Sequence, residues 1–406
     1  MATTCSVPAS LRSIAVAADI RFDGQRPWDL QVHDSQFFGE LVRRGSLALG
    51  EGYVAGQWDC DQLDELINRL LRVRANQPLS LRGAISAAVV RLRDQLINPQ
   101  SLARAFRVGR QHYDIDHRVY AATLDRRLVY SCGHWQEASN LEEAQLRKLE
   151  RICRKLQLQP GQRLLDVGCG WGSLAAHAAE HHGVRVTAIT VSAAQYLWVR
   201  EHYGHLPIQV ELCDYRSLPG LLRGRFERIA SVGMFEHVGP RNHPCFFRCM
   251  QQLMEADGLL LLHTIGHAGP RGGTDPWIDA YVFPGGRLPS ATEVCRASAP
   301  YLRLEDWENF GGDYVRTLLA WWQNFQARWP ELQGHLGERF YRFWRYYLLS
   351  CAGYFRSGQG QVWQLVMSRP ESSQVYRSLR PKLSGSAPIQ QPQGAAEVSP
   401  SCFSRP

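Results

Sequence analysis

The segment Leu164-Leu165-Asp166-Val167-Gly168-Cys169-Gly170-Trp171-Gly172 constrains this chain more than any other. It reads as a buried strand running into a Gly-x-Gly-x-Gly turn, with a helix starting near Ser173. Three glycines within five residues let the backbone turn sharply and leave no Cβ between it and a ligand. Strand, glycine-rich turn and helix in this order cradle a nucleotide-like cofactor at the carboxyl edge of a parallel sheet. The spacing is not the Gly-x-Gly-x-x-Gly of dinucleotide enzymes. With Asp166 directly ahead of it, the turn suits a cofactor that brings no pyrophosphate to the helix end. S-adenosylmethionine is such a cofactor.

The rest of the chain supports an α/β catalytic domain. Strands are predicted at Arg163–Val167, Val184–Thr190, Ile208–Cys213, Arg228–Val232 and Leu259–Thr264, with helices in the gaps, as in a doubly wound sheet. Four regions follow: a small module over residues 1–75 with Trp28, Trp58 and a turn at Leu49-Gly50-Glu51-Gly52-Tyr53; a basic helical linker over 76–110; the catalytic domain over 111–380; and a Pro-, Ser- and Gln-rich tail over 381–406 whose composition predicts disorder. Past Tyr301 the sequence turns aromatic. Tyr314, Leu318, Trp321, Trp322, Phe325 and Trp329 fall on one helical face, and a second cluster runs from Phe340 to Phe355; either is core, or the wall of a long apolar slot.

Charge and cysteine usage narrow the setting. The net charge of +8 matters less than its position, because eight arginines lie between Arg72 and Arg110 against the single acid Asp94. Ile85, Val89, Leu92 and Leu96 recur there at helical spacing. A basic amphipathic helix of this kind lies either in solvent or on an anionic lipid surface; without stacking aromatics between the arginines, it does not suit nucleic acid. No apolar run approaches the roughly 20 residues needed to cross a bilayer, and no signal peptide is read. Eleven cysteines without a paired framework suggest a reducing cytoplasm. Cys245 and Cys249 stand four apart with no second pair, so helix packing is expected there and no metal site.

The strand ends carry the chemistry. Where an acid often meets the ribose, this chain has Thr190, with Gln195 in reach on the next helix; Asp214 follows the third strand and either binds the adenine amino group or caps a helix. The fourth strand ends in Gly233-Met234-Phe235-Glu236-His237-Val238-Gly239 and the fifth in Leu262-His263-Thr264-Ile265-Gly266. Glu236 and His263 therefore converge on the cofactor pocket from adjacent strands, which points to proton handling during alkyl transfer.

These motifs, with Tyr130-Ser131-Cys132, His112-Tyr113-Asp114, Asp275-Pro276-Trp277-Ile278, Phe310-Gly311-Gly312-Asp313-Tyr314 and Cys351-Ala352-Gly353-Tyr354-Phe355, closely resemble those of the cyclopropane-fatty-acyl-phospholipid synthase and mycolic acid cyclopropane synthase family, from about Gly24 to about Leu379. The resemblance implies a Rossmann-like class I S-adenosylmethionine-dependent methyltransferase fold with a small N-terminal domain and helical linker. It implies an enzyme that adds a methylene to the cis double bond of unsaturated phospholipid chains. The basic linker suggests peripheral attachment to the inner membrane face, and the N-terminal module, without an evident chemical role, suggests a homodimer or a bilayer contact. Cofactor contacts would be Tyr130, Ser131, Gly168, Cys169, Gly170, Trp171, Gly172, Thr190, Gln195 and Asp214. The family's base is a bound bicarbonate, whose contacts here would be the backbones of Cys132 and Ile265, Glu236, His263 and the Tyr314 hydroxyl. Cys351 matches the cysteine nominated as an active-site group, although no covalent enzyme intermediate is needed. Tyr314 and Trp307 are candidate cation–π partners for a carbocation. Where relatives carry a Gly-Asn-like pair, this chain has Asp116-His117, beside the expected cofactor lid. The rival readings are methyl-branch formation, amine methylation and a lipid-binding protein without activity.

Overall fold

The computed structural model describes residues 7–75, 116–221, 226–270 and 272–379. The basic linker over 76–110, the His112-Tyr113-Asp114 motif and the tail lie outside the described residues.

The N-terminal module contains helix α1 (Ala9–Ala17), strand β1 (Gln31–Val32), helices α2 (Phe37–Arg44) and α3 (Ser46–Val54), strand β2 (Trp58–Asp59) and helix α4 (Leu63–Ala75). β1 and β2 pair antiparallel. The Leu49–Tyr53 segment, read from sequence as a turn, is instead the body of α3. Its glycines allow close approach, not turning: a Cβ on Gly50 would stand 2.4–2.6 Å from the Trp277 indole.

The catalytic domain follows with α5 (His117–Thr123), α6 (Leu141–Lys155), β3 (Arg163–Val167), α7 (Ser173–His182), β4 (Arg185–Thr190), α8 (Ala193–Tyr203), β5 (Ile208–Leu212), α9 (Leu218–Leu221), β6 (Phe226–Val232), α10 (His243–Leu253), β7 (Met254–His267), α11 (Pro276–Tyr281), α12 (Ala291–Ser298), β8 (Arg303–Asn309), α13 (Gly312–Arg356) and β9 (Gly360–Ser368). Seven strands form one sheet in the order β5-β4-β3-β6-β7-β9-β8. β3 to β7 are parallel, and β9 runs antiparallel between β7 and β8. The chain winds outward from β3 through β4 to β5, then returns to place β6 on the other side of β3. This reversal opens a crevice at the carboxyl end of β3, where the glycine turn lies.

The first four predicted strands fall within two residues of their observed limits, and β7 extends well past both ends of the fifth. β8 and β9 were missed. Gly360–Ser368 is buried on both faces and shows no alternation, while Arg303–Asn309 is a polar edge strand, so neither carries a period-two signal. Cys245 and Cys249 lie on α10, with free thiols.

Both aromatic stripes belong to α13, which leaves helical geometry at Gly337 (φ 71°, ψ 165°). There it folds back on itself: Tyr314 packs on Phe355 with ring centroids 4.6 Å apart, Phe325 on Trp344 at 6.1 Å, and Trp329 on Tyr341 at 4.9 Å. The returning arm also docks the N-terminal module. Arg342 donates to the Tyr53 carbonyl at 2.6 Å, Arg356 pairs with Asp64 at 2.7 Å, and a Cβ on Gly353 would stand 2.5 Å from the Asp64 carbonyl oxygen. Module, hairpin and the segment around Tyr120 share one hydrophobic core. Gly50→Ala forces a methyl into the Trp277 ring and is expected to cost about 1–3 kcal/mol; a lowered thermal unfolding midpoint checks this, and an unchanged one refutes the tight packing.

Candidate active site

A cavity of about 1050 Å³ opens above the carboxyl ends of β3, β4, β6 and β7 and runs on between the α13 hairpin and the N-terminal module. Of the catalytic, cofactor-contact and cation–π residues proposed from sequence, all but Gly172 and Trp307 line it. Gly172 stands behind the turn, φ 85°, where a Cβ would meet Val199 at 2.9 Å. Gly168 (φ 86°) shapes the cradle itself, since a Cβ there would strike Met234 at 2.7 Å. The turn is pinned by the N–H groups of Gly168 and Cys169, both donating to the Ile189 carbonyl at 3.0 and 2.9 Å.

The cofactor side is polar but sparsely satisfied. Thr190 Oγ1 donates to Gln195 Oε1 at 2.7 Å, and both residues are buried. Asp214 caps the turn that follows it and holds Arg216 with both oxygens at 2.7 Å. Trp171 Nε1 and Asp166 Oδ2 are buried without a partner among the described residues. His117 stands edge-on to Trp171 with ring centroids 5.3 Å apart, so the Asp116-His117 segment does abut the glycine turn. A crevice with orphaned donors and acceptors beside a Cβ-free turn fits a nucleoside-bearing cofactor such as S-adenosylmethionine.

Two buried polar side chains on α6 support this wall, and both were missed from sequence. Lys148 donates through Nζ to Ser131 Oγ at 2.8 Å, and Gln145 donates to the Ser131 carbonyl at 2.9 Å. Burial pushes the lysine down to about 8, with Asp125, Cys132 and Asp166 opposing. Burial pushes the Asp166 carboxyl up to about 7, partly offset by Lys148. Leu141, Ala144, Gln145, Lys148, Leu149 and Ile152 form the inward stripe of α6; two hydrophilic residues inside an apolar stripe were the available signal.

At the chemical end, Glu236 follows β6 and is 7% exposed. Its Oε1 accepts from the Ile265 N–H at 2.6 Å, while Oε2 has no partner among the described residues. Burial pushes the carboxyl up to about 7, only partly resisted by hydrogen bonds from Ile265 N–H and neighbouring groups. His263 pairs in register with Val232, is 1% exposed, and is held well below its ordinary range, first by burial and then by the positive field of Lys148 and Lys155. The Gln364 amide nitrogen lies 3.3 Å from Nδ1, a contact that orients the ring. Gln364 sits on β9, a strand not predicted, so this orienting partner was missed as well. The Tyr314 hydroxyl and the Cys132 N–H have no hydrogen-bond partner among the described residues. The Cys132 and Cys351 thiols are both raised by burial, the latter to about 12, which leaves neither as a nucleophile at neutral pH. Two sequence assignments change here. The Ile265 N–H is already taken by Glu236, and Trp307 lies on β8 packed against Trp363 at 5.1 Å, outside the cavity, so it is no partner for a cation there.

Residues 100–365 match the family model for mycolic acid cyclopropane synthetase. The chain belongs to that family. Cyclopropane-fatty-acyl-phospholipid synthase from Escherichia coli K12 is 44% identical over 354 residues, covering 87% of this chain and 91% of the relative. Tuberculostearic acid methyltransferase UfaA1 from Mycobacterium tuberculosis is 31% identical over 81% of this chain and 80% of its own length. Among solved structures, mycolic acid cyclopropane synthase CmaA1 complexed with SAH and CTAB superposes with a TM-score of 0.60 at 32% identity, over 65% of this chain and 98% of that one. The family places this chain among the methyltransferase-class enzymes, and its sheet has the S-adenosylmethionine-dependent methyltransferase fold.

The Glu236 carboxyl allows a direct test. Its folded value of about 7 lies above the ordinary 4.5 of a glutamate, so the neutral acid is the form the fold favours. The stability this gives is complete below about 4.5 and is lost as pH rises through 7. Glu236→Gln is neutral throughout. Its melting temperature relative to the unmodified protein should therefore climb between pH 5 and pH 8.5, by up to roughly 3 kcal/mol of stability. A pH-independent difference refutes the shifted acid.

Proposed function

We propose that this enzyme transfers a methylene from S-adenosylmethionine to the cis double bond of unsaturated phospholipid acyl chains, leaving a cyclopropane ring. The observation that carries the reading is Glu236 Oε2, a buried acceptor without a partner among the described residues. Tyr314, Cys132 and His263, whose hydroxyl, main-chain N–H and imidazole can donate, line the same apolar-walled cavity. A bound bicarbonate, held as a proton acceptor, matches that set.

S-adenosylmethionine supplies, when bound, an electrophilic methyl carbon. The protein's part is to position, exclude water and hold protons. Tyr130, Ser131, Trp171, Thr190, Gln195 and Asp214 would hold the nucleoside and amino-acid portions, with Lys148 and Gln145 fixing Ser131. Methyl transfer leaves a carbocation on the acyl chain, which water would trap as an alcohol, so the surroundings must be dry. The aromatic wall from Tyr314 to Phe355 excludes water, and the Tyr314 ring can face the cation. Glu236, ionised and steadied by the Ile265 N–H, would accept the O–H of bicarbonate. Cys132 N–H, Tyr314 and His263 would donate to its oxygens and offset its desolvation. Ile265 thus acts by fixing Glu236.

The cavity reaches Leu11 and Ile14 of α1 and Ile67, Leu70 and Leu71 of α4, a continuous apolar path for an acyl chain. Among the described residues no helix is long and apolar enough to cross a membrane. Exposed Ile14 and Val16 at the same end, together with the linker arginines, support peripheral attachment to the anionic inner face of the membrane. Homodimerisation through the N-terminal module belongs to the same proposal.

Purified protein given S-adenosylmethionine and dioleoyl phospholipid vesicles should yield lipid with upfield cyclopropyl proton resonances. A methyl-branched alkene product instead supports the branching rival, and vesicle binding without transfer supports a lipid-binding role. Glu236→Gln should lose about a hundredfold or more in kcat yet keep S-adenosylhomocysteine affinity; equal loss of both makes its role structural. Lys148→Met should weaken that affinity roughly tenfold, the scale of one charge-assisted hydrogen bond, read by calorimetry; an unchanged affinity removes Lys148 from the cofactor wall. Replacing Arg91, Arg93, Arg104 and Arg107 by Gln should weaken anionic-vesicle binding, with an effect that fades at high salt. Salt-independent binding overturns the electrostatic part.

A further inference from the structure

On the face of the sheet away from the crevice mouth, α6 and α7 bring together a set of metal-ligating side chains that the proposed reaction does not use. Cys153 Sγ and one ring nitrogen each from His177 and His182 lie within 4.8 Å of one another. The two imidazoles also converge on a single oxygen: His177 Nε2 lies 3.2 Å and His182 Nε2 3.0 Å from Glu150 Oε2. Glu150 and Cys153 are three apart on α6 and so share a face.

We propose that Cys153, His177, His182 and Glu150 form a site for a zinc-class divalent cation that fastens α6 to α7. Three arguments carry it. Donor type comes first: one sulfur, two imidazoles and a carboxylate are the ligands that tetrahedral zinc takes, and they are unsuited to magnesium or calcium. Spacing comes second. Metal bonds of about 2.0–2.3 Å at tetrahedral angles hold donors roughly 3.3–3.6 Å apart. The His–Glu separations are already near that value, whereas Glu150 stands outside the set of three donors within 4.8 Å of one another, so side-chain rotation must bring the Cys153 sulfur and the carboxylate together. Charge comes third. Cys153 is fully buried and His177 nearly so; a thiolate and a carboxylate cancel the dication, so the loaded site buries no net charge. The site also lies at the C-terminal ends of both helices, Lys155 and His182 being their last residues, where the helix dipoles favour a cation.

Loading replaces the Cys153 S–H bond with a sulfur–metal bond and releases one proton to solvent per ion; no oxidant or reductant is required. Cys153 sits more than one helical turn beyond Lys148 and about two beyond Gln145 on α6, so the clamp would fix the register of the helix that supports Ser131. It does not depend on the proposed reaction, and its test uses no substrate.

Full-length protein, stripped with a chelator and titrated with Co²⁺, should take up one equivalent with the visible absorption of a tetrahedral site and a near-ultraviolet sulfur-to-cobalt band. Zinc should displace it and raise the melting temperature. Cys153→Ser should abolish the sulfur band. His182→Gln, at a partly exposed position, should weaken binding at least tenfold without unfolding the chain. Cys295→Ser, which removes an exposed thiol elsewhere, should change nothing. The proposal is overturned by an octahedral spectrum in the unmodified protein, by a sulfur band that survives Cys153→Ser or disappears in Cys295→Ser, or by unchanged affinity in His182→Gln.

Discussion

The hydrogen bond from the Ile265 N–H to Glu236 Oε1, 2.6 Å long and partly buried, is the interaction on which the candidate active site turns. It joins the loop after β6 to the end of β7, two parallel neighbours whose register sets Val232 opposite His263. One carboxylate oxygen is fixed by this bond and the other is left open to the cavity. Burial outweighs the hydrogen bonds this carboxyl receives, which is why it prefers to be neutral up to about 7. The fold thus gives up stability at the pH where the ionised acid would be useful, as is common at functional sites. Glu227, on the same β6 but paired with Arg163, goes the opposite direction, down to about 2.

The α13 hairpin extends that constraint outward. One arm places Tyr314 over the reacting end, and the other carries Tyr346, Tyr347, Cys351 and Tyr354 along the cavity wall. The returning arm is also the surface on which the N-terminal module docks, through arginines that donate to main-chain carbonyls. Catalytic wall and module therefore share one core. A change in how the module seats would be felt at Tyr314 through tightly packed aromatic rings, since such interiors deform little.

Much of this was legible in the sequence because the information is local. The glycine turn, the parallel strands and the Glu236 and His263 motifs each sit within a few residues of the strand end that aims them, and chain order alone put them at one sheet edge. The resemblance added Tyr130, Ser131, Cys132 and Tyr314, which lie far from the turn in sequence. What escaped was set by tertiary partners. β8 and β9 lack alternation because one is a polar edge and the other is covered on both faces. Gly50 and Gly52 looked like turn residues until Trp277 and Phe37 were seen against them. Trp307 looked like a cavity aromatic until its strand was placed. Gln364 orients His263 from a strand that could not be predicted, so its role was invisible without the sheet order.

The charges around the cavity show why the site tolerates such burial. His263 is neutral, the thiols are neutral, and Asp166, Glu236 and Lys148 are all drawn toward neutral pH by the same desolvation. On the proposed chemistry the two small charges that enter are a sulfonium and a bicarbonate, of opposite sign. A cavity whose own groups sit close to their titration points can adjust to that pair by moving a proton between residues, which costs far less than housing a fixed unpaired charge. A permanently ionised, fully paired site would hold the anion more cheaply before reaction. It would also leave no open acceptor at Glu236 Oε2 and no open donor at Tyr314, and those two vacancies are what the geometry preserves.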